Sequence, residues 1–240
     1  LNISSNEILI KAAHCRGFFY ALQTIRQLLP PAIENSNVTD EDVDWEIPAV
    51  AITDEPRFSY RGLMLDVARF FMPKEGLLRI IDCMAMLKIN KLHFHLTDDN
   101  GWRIEIKKYP RLTEIGAWRA DRTDVPFPLR RNARPGEPTP IGGFYTQEDI
   151  KEIVEYAADR HITIIPEIEF PGHSREVFVA YPELCCAEKP YSGGTFCVGN
   201  DKTYAFMKSV LNTVMDLFPS EMVHIGGDET NTCLLYTSPS

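Results

Sequence analysis

From Arg61 onward the chain alternates short apolar runs with longer amphipathic stretches, and every apolar run empties into charged or polar residues. Few folds satisfy that pattern. Residues 63–67 are predicted as a strand, and Pro73 opens a helix with Leu77, Ile81, Met84 and Leu87 at helical spacing. Residues 91–96 form the next strand, followed by a loop rich in Pro, Arg and Gly over about residues 120–143. Thr146 to Asp149 reads as a capping box ahead of a helix carrying Ile150, Ile153, Val154 and Ala157. Residues 162–168 are continuously apolar, as in a parallel strand buried on both faces. A helix from Lys202 carries Val210, Leu211, Val214 and Leu217, and residues 222–225 make a fourth strand. Strand–helix units repeated with right-handed crossovers build a parallel sheet.

The polar strand ends select the architecture. Asp66 and Arg69 close the first strand and Thr97-Asp98-Asp99 the second. Glu167, Glu169 and His173 close the third, and Asp228-Glu229 the fourth. Reactive groups at the C-terminal end of every strand are the habit of a (β/α)₈ barrel. An open doubly wound sheet would gather its site at one switch point, and no glycine-rich phosphate loop supports that alternative. The expected fold is α/β, the first half of a (β/α)₈ barrel.

His224-Ile225-Gly226-Gly227-Asp228-Glu229 carries the sharpest chemical signal. The glycines let other groups approach the backbone closely. Two adjacent carboxylates cannot both ionise freely, so one is expected to hold a proton near neutrality and serve as a general acid. The bland reading is an acidic β-turn in water. Asp98, His173 and Glu229 can form a line in which a carboxylate holds an imidazole that faces a second carboxyl, tuning its proton affinity. The alternative is a structural network beneath a loop. Arg69 either clamps ligand hydroxyls or a carboxylate, or pairs with an acidic residue such as Glu169. His93 and His95 lie on one face of a strand. They can be a metal pair, with His173 and Asp228 completing the ligand set, but interior packing with hydrogen bonds to neighbouring strands is the favoured reading. Trp102 follows the turn signal Asp99-Asn100-Gly101 and is read as capping the strand with its ring.

Charge and composition exclude other partners. The net charge is −9 with no long basic run, so neither nucleic acid nor an anionic membrane surface is expected to bind. No apolar stretch is long enough to span a bilayer. The six cysteines, Cys15, Cys83, Cys185, Cys186, Cys197 and Cys233, show no Cys-x-x-Cys spacing. Cys83 falls in an amphipathic helix pattern and is expected buried. Cys185 or Cys186 is close enough along the chain to bridge Cys197 in an oxidising compartment. Asn2 and Asn37 begin glycosylation sequons, which are common by chance. The chain begins at Leu1 with no signal-peptide pattern, which says little about targeting.

Residues 1 to about 50 differ from the rest. Residues 7–10 form an apolar strand, and a helix pattern from Gly17 with Tyr20, Ile25, Leu28 and Leu29 stops at Pro30-Pro31. One strand and one helix without partners read as the tail of a small α+β domain.

Four motifs together resemble the β-N-acetylhexosaminidases of glycoside hydrolase family twenty, from about residue 5 to Glu229. They are Pro56-Arg57-Phe58 through Arg61-Gly62-Leu63-Met64-Leu65-Asp66-Val67-Ala68-Arg69; Lys91-Leu92-His93-Phe94-His95-Leu96-Thr97-Asp98-Asp99-Asn100-Gly101-Trp102-Arg103; Ile165-Pro166-Glu167-Ile168-Glu169-Phe170-Pro171-Gly172-His173; and His224 to Glu229. The resemblance implies that Glu229 is the general acid/base and that Asp228 holds a substrate 2-acetamido group. The acetamido oxygen is then the nucleophile, an exception to the two-carboxylate rule, and the reaction proceeds with retention. Asp98 and His173 match the relay to the acid, and Arg69 matches the arginine that binds sugar hydroxyls. No cofactor or metal is implied. The implied partner is an amino-sugar glycoside or glycan, and the implied compartment is secreted, periplasmic or lysosomal.

The domains expected are 1–50 for the end of the non-catalytic α+β domain, 51–233 for four βα units, and 234–240 as a foreign or frame-shifted tail. Two departures stand out: Glu169 replaces a frequent Asp, and the later strands, with their aromatic wall and acetamido-binding tyrosine, are not in this sequence. The rival readings are a metal-dependent barrel hydrolase using His93, His95 and Asp228, and a sugar-binding remnant without turnover.

Overall fold

The computed structural model describes residues 1–35, 37, 43–126, 133, 136–186, 195–227 and 229–230. The N-terminal residues form a small module of their own. Strand β1 (Asn2–Ile3) pairs antiparallel with β2 (Ile8–Leu9) on one side and with β3 (Val50–Ala51) on the other. Helix α1 (Cys15–Leu28) lies between β2 and β3 in sequence and ends just before Pro30-Pro31, where proline removes the next backbone donor. The expectation of an unpartnered strand is corrected here: β1 and β3 are its sheet. Each has two residues, too few for any alternation to show.

Beyond Arg61 the wall of the barrel is laid down in order. Strand β4 (Gly62–Asp66) is followed by helix α2 (Lys74–Met86) and strand β5 (Lys91–His95). A hairpin of β6 (Thr97–Asp98) and β7 (Gly101–Trp102) then leads to helix α3 (Arg111–Glu114). Strands β8 (Trp118–Arg119) and β9 (Ile141–Gly142) pair across the long loop. Helix α4 (Gln147–Ala158), strand β10 (Thr163–Glu167), helix α5 (Arg175–Ala180) and helix α6 (Asp201–Leu217) complete the series. The sheet order is β10-β5-β4, all parallel, with His224 bridged in parallel to Glu167 beyond β10. Each strand neighbours the one made before it. That is the order of a barrel wall, and it makes this sheet the first half of a (β/α)₈ barrel preceded by the small module.

The expected fourth strand is shorter than its apolar run suggests. It is held by His224 N donating to Pro166 O (2.9 Å), Ile168 N to His224 O (3.0 Å) and Phe170 N to Ile225 O (3.0 Å). Among the described residues it pairs only toward β10, and Met222 and Ile225 are 52% and 53% exposed.

Alternation along the strands separates two faces. Leu92, Phe94 and Ile164 point to the helices and are buried with Leu77, Ile81 and Met84 of α2, Ile150 and Ile153 of α4, and Val210 and Val214 of α6. The opposite face carries in-register rows: Met64, His93 and Ile165, then Asp66, His95 and Glu167. The Thr146 capping box is present, its hydroxyl accepting from Asp149 N while the Asp149 carboxylate accepts from Thr146 N. Two side chains depart from expectation on α2. Leu87 is the C-cap and is exposed, and Cys83 faces solvent, because the buried stripe runs through Leu77, Ile81, Met84 and Ala85 instead.

Helices α2 and α4 end alike. Lys88 and His161 take left-handed φ of 57° and 58°, and the next residues donate back to Met84 O and Ala157 O, both at 2.9 Å. Helix α1 docks on these same turns: Lys88 Nζ donates to Thr24 Oγ1 (2.7 Å), and the His161 ring meets Phe19 at 5.3 Å. Arg61 Nη2 adds a bond to the Tyr20 hydroxyl (3.0 Å). The module therefore buttresses the N-terminal ends of the strands and leaves their C-terminal ends open.

Candidate active site

The C-terminal strand ends converge on a carboxylate–imidazole network. At the end of β4 the Asp66 Oδ1 atom accepts from the backbone N–H groups of Ala68 (2.9 Å) and Arg69 (3.0 Å), which turns the chain and aims Arg69 inward. Arg69 Nη1 pairs with Asp66 Oδ2 (2.8 Å) and Nη2 with Asp98 Oδ2 (2.7 Å). Asp98 is buried on the β6–β7 hairpin, where its Oδ1 accepts from Asp99 N at 2.7 Å. His173 Nδ1 lies 3.5 Å from both Asp98 Oδ1 and Asp99 Oδ2, and His173 Nε2 lies 3.3 Å from Glu229 Oε2. Arg69, Asp98, His173 and Glu229 are thus brought together. Asp228 lies outside the described residues. Glu229 is 80% exposed in this half-barrel.

Charge fixes protonation. Hydrogen bonds to Asp98 and Asp99 outweigh burial and push His173 up to about 11. Burial works to raise Asp98, but His173, His95 and Arg69 overcome it and hold the carboxyl down at about 2. At neutral pH Asp98 is therefore a carboxylate and His173 an imidazolium, with a proton on each ring nitrogen.

Glycine chemistry shapes the last strand end. Gly226 takes φ +67°, and a Cβ there would sit 1.9 Å from Glu169 Oε2. Glu169 Oε2 in turn accepts from Gly227 N at 3.3 Å. The close approach expected of the Gly-Gly pair is to the Glu169 carboxylate.

His93 and His95 form interior hydrogen bonds to the neighbouring strand, the reading favoured from sequence. His93 Nε2 and His95 Nδ1 both lie 2.6 Å from Glu167 Oε2, and His224 Nδ1 lies 2.8 Å from Glu167 Oε1. Metal-ligating atoms within 4.8 Å of one another occur in three groups among the described residues: His93, Glu167 and His224; His95, Asp98 and Glu169; Asp98, Asp99 and His173. Apart from Glu169, whose carboxylate accepts from Gly227 N, these residues belong to the hydrogen-bonded network just described.

Three further residues carry the site in roles that were not read from the sequence. Glu167 is the hub just named. Arg103, fully buried, donates to five carbonyls, those of Val67, Ala117, Gly143, Ala68 and Asn100, at 2.6–3.3 Å. It ties the loops after β4 and β6 together, and burial lowers its proton affinity to about 10. Glu176, in the first turn of α5, is buried, and its two carboxyl oxygens have no hydrogen-bond partner on another of the described residues. Burial first, and then the charge of Asp99, raise its carboxyl well above the usual range. Trp102 is a buried core ring whose Nε1–H donates to Ile104 O at 2.6 Å.

Residues 58–240 match the family described as glycosyl hydrolase family 20, catalytic domain, and residues 1–55 match glycosyl hydrolase family 20, domain 2. The chain belongs to glycosyl hydrolase family 20. It is 46% identical to a beta-hexosaminidase of Porphyromonas gingivalis over 92% of its length, and 41% identical to one of Vibrio furnissii over its whole length. It spans only 27% and 38% of those two relatives. Among solved family 20 structures, the Vibrio harveyi exo-β-N-acetylglucosaminidase in complex with N-acetylglucosamine superposes with a TM-score of 0.83 at 37% identity, covering 99% of this chain and 37% of that one. A β-N-acetylhexosaminidase of Bacteroides fragilis gives 0.77 at 40% identity, with 95% and 42% covered. No helix among the described residues is long and apolar enough to cross a membrane.

Proposed function

We propose that the whole protein releases terminal, non-reducing β-linked N-acetylglucosamine or N-acetylgalactosamine with retention of configuration. The observation that carries this reading is the line Glu229–His173–Asp98, with Arg69 on Asp98, at the C-terminal ends of family 20 barrel strands. Glu229 donates its proton to the glycosidic oxygen as the bond to the anomeric carbon breaks. The substrate's acetamido oxygen closes onto that carbon from the opposite face, with Asp228 holding the acetamido N–H. The His173 imidazolium faces the Glu229 carboxylate left behind. Glu229 then takes a proton from water, whose oxygen attacks the anomeric carbon, opens the oxazolinium ring and restores the acetamido group. On this reading Arg69, anchored by Asp66, holds sugar hydroxyls.

Residues 1–240 alone are proposed to turn over little, because Glu229 faces water and a general acid at neutral pH needs shielding from it. The test is the complete protein with an aryl N-acetyl-β-glucosaminide and the matching plain β-glucoside. The first should be cleaved with retention and the second very poorly. Comparable rates on both would overturn acetamido participation.

A further inference from the structure

The line that ends at Glu229 does not stop at Asp98. Asp98 has two oxygens with separate duties: Oδ1 serves His173 and Asp99 N, while Oδ2 takes Arg69 Nη2 and lies 3.0 Å from His95 Nε2. His95 Nδ1 lies 2.6 Å from Glu167 Oε2, which also meets His93, and Glu167 Oε1 meets His224. Carboxylates and imidazoles alternate from the strand ends into the barrel interior, and the side chains of His95, Asp98 and Glu167 are only 3%, 2% and 5% exposed.

The nearest neighbours of both His95 ring nitrogens are carboxylate oxygens, which only accept, while the Arg69 Nη1 donor stands farther from Nε2 at 3.2 Å and is itself bonded to Asp66 Oδ2 at 2.8 Å, so both nitrogens carry protons. The Nε2–H bond fixes the plane of Asp98, and that plane decides whether Oδ1 can face His173. Arg69 Nη2 shares Asp98 Oδ2, with its guanidinium divided between Asp66 and Asp98. We propose that His95 and Glu167 are positioning residues for the proton donor, extending the Asp98–His173 line two members into the barrel interior. The inference rests on the reading of Glu229 as that donor.

The charged and titratable groups around His95 are Glu167 of β10, Asp98 of β6, Asp66 of β4, Arg69, whose Nη1 is 3.2 Å from Nε2, and Glu169 beyond β10. His93 and His224 reach it through Glu167. Burial disfavours the charged ring, but Asp98 and Glu167 hold it at about 9. Glu167→Gln keeps the shape and removes the charge. His95 should then lose its proton nearer the ordinary histidine range of about 6.5. Above that pH the line breaks at His95.

Two measurements on the complete protein test this. The first is kcat and kcat/KM against pH. Glu167→Gln should show a new alkaline fall of about 10–100-fold, with KM little changed and poor leaving groups losing most. In an Asp98→Asn background the same substitution should add almost nothing. A uniform loss at every pH, or full additivity with Asp98→Asn, would overturn the inference. The second needs no turnover: nitrogen-resolved NMR of the wild-type histidines should find both ring nitrogens of His95 protonated at neutral pH. A single ring N–H there would overturn it even where Glu167→Gln does not fold. Failure of the wild type to cleave the N-acetyl glycoside, with His95 doubly protonated, would instead indict the functional reading.

Discussion

His173 and Glu229 both hold left-handed backbone, with φ of 44° and 46°, a conformation that costs a non-glycine residue about 1–2 kcal/mol. The two side chains that face each other at the strand ends are also the two backbone exceptions nearest the site, a pattern that goes with tightly positioned groups. Gly226 belongs to the same tight geometry. Gly226→Ala would force a Cβ into Glu169 on an unfavourable φ, so it should cost at least about 1–2 kcal/mol in chemical denaturation and displace the loop that bears Glu229. For catalysis, Glu229→Gln in the complete protein should lower turnover by about 10²–10⁴-fold, and substrates with very good leaving groups should suffer less. An equal loss across leaving groups in steady-state assays would remove Glu229 from the role of acid. Arg69, Asp98, His173 and Glu229 were legible because each stands in a motif at a strand end. Glu167 was legible as a strand-end carboxylate but not as a hub, since its partners come from strands distant in sequence.

Among elements, legibility followed length. The strands β4, β5 and β10 and the helices α2, α4 and α6 each display a full period of their pattern, and each was found within a few residues. Strands β1 and β3, of two residues, and helix α5, of six, display none; they exist because neighbours pair or pack with them. Arg103 shows how such short pieces are held. Its fork joins the loops after β4 and β6 to Ala117 and Gly143. A lysine offers a point charge in place of the planar fork and leaves buried carbonyls unbonded. Arg103→Lys should therefore cost about 3 kcal/mol or more, read as a lower midpoint in urea, although charge is conserved.

For the whole molecule, the buried charges set a pH window. Asp98 and Glu167 titrate near 2 in the folded chain, so their contribution is present above the ordinary carboxylate range of about 4 and is lost as pH falls toward 2. His95 and His173, raised to about 9 and 11, contribute fully below about 6.5, and that share is lost as pH rises through those values. Glu176, raised by burial, opposes folding increasingly above about 4.3. Thermal midpoints should therefore peak between about pH 4.5 and 6.5, and Glu176→Gln should flatten part of the alkaline decline. The inner face of the half-barrel is less apolar than a bare strand pattern suggests, because Asp66, His93, His95 and Glu167 share it with Met64 and Ile165. The open edges remain, and light scattering of a polypeptide of residues 1–240 should find self-association.

The sheet order has a temporal side. Each parallel strand pairs with the one synthesised just before it, and helix α1 precedes the turns it braces. The wall can accordingly be assembled in the direction of translation, every new strand leaving the ribosome beside a finished template and none waiting for a distant partner until the ring must close. The hazard in biosynthesis is then concentrated in that last seam, where β4, the first strand of the wall to be made, has to be kept clean for a partner that arrives at the end.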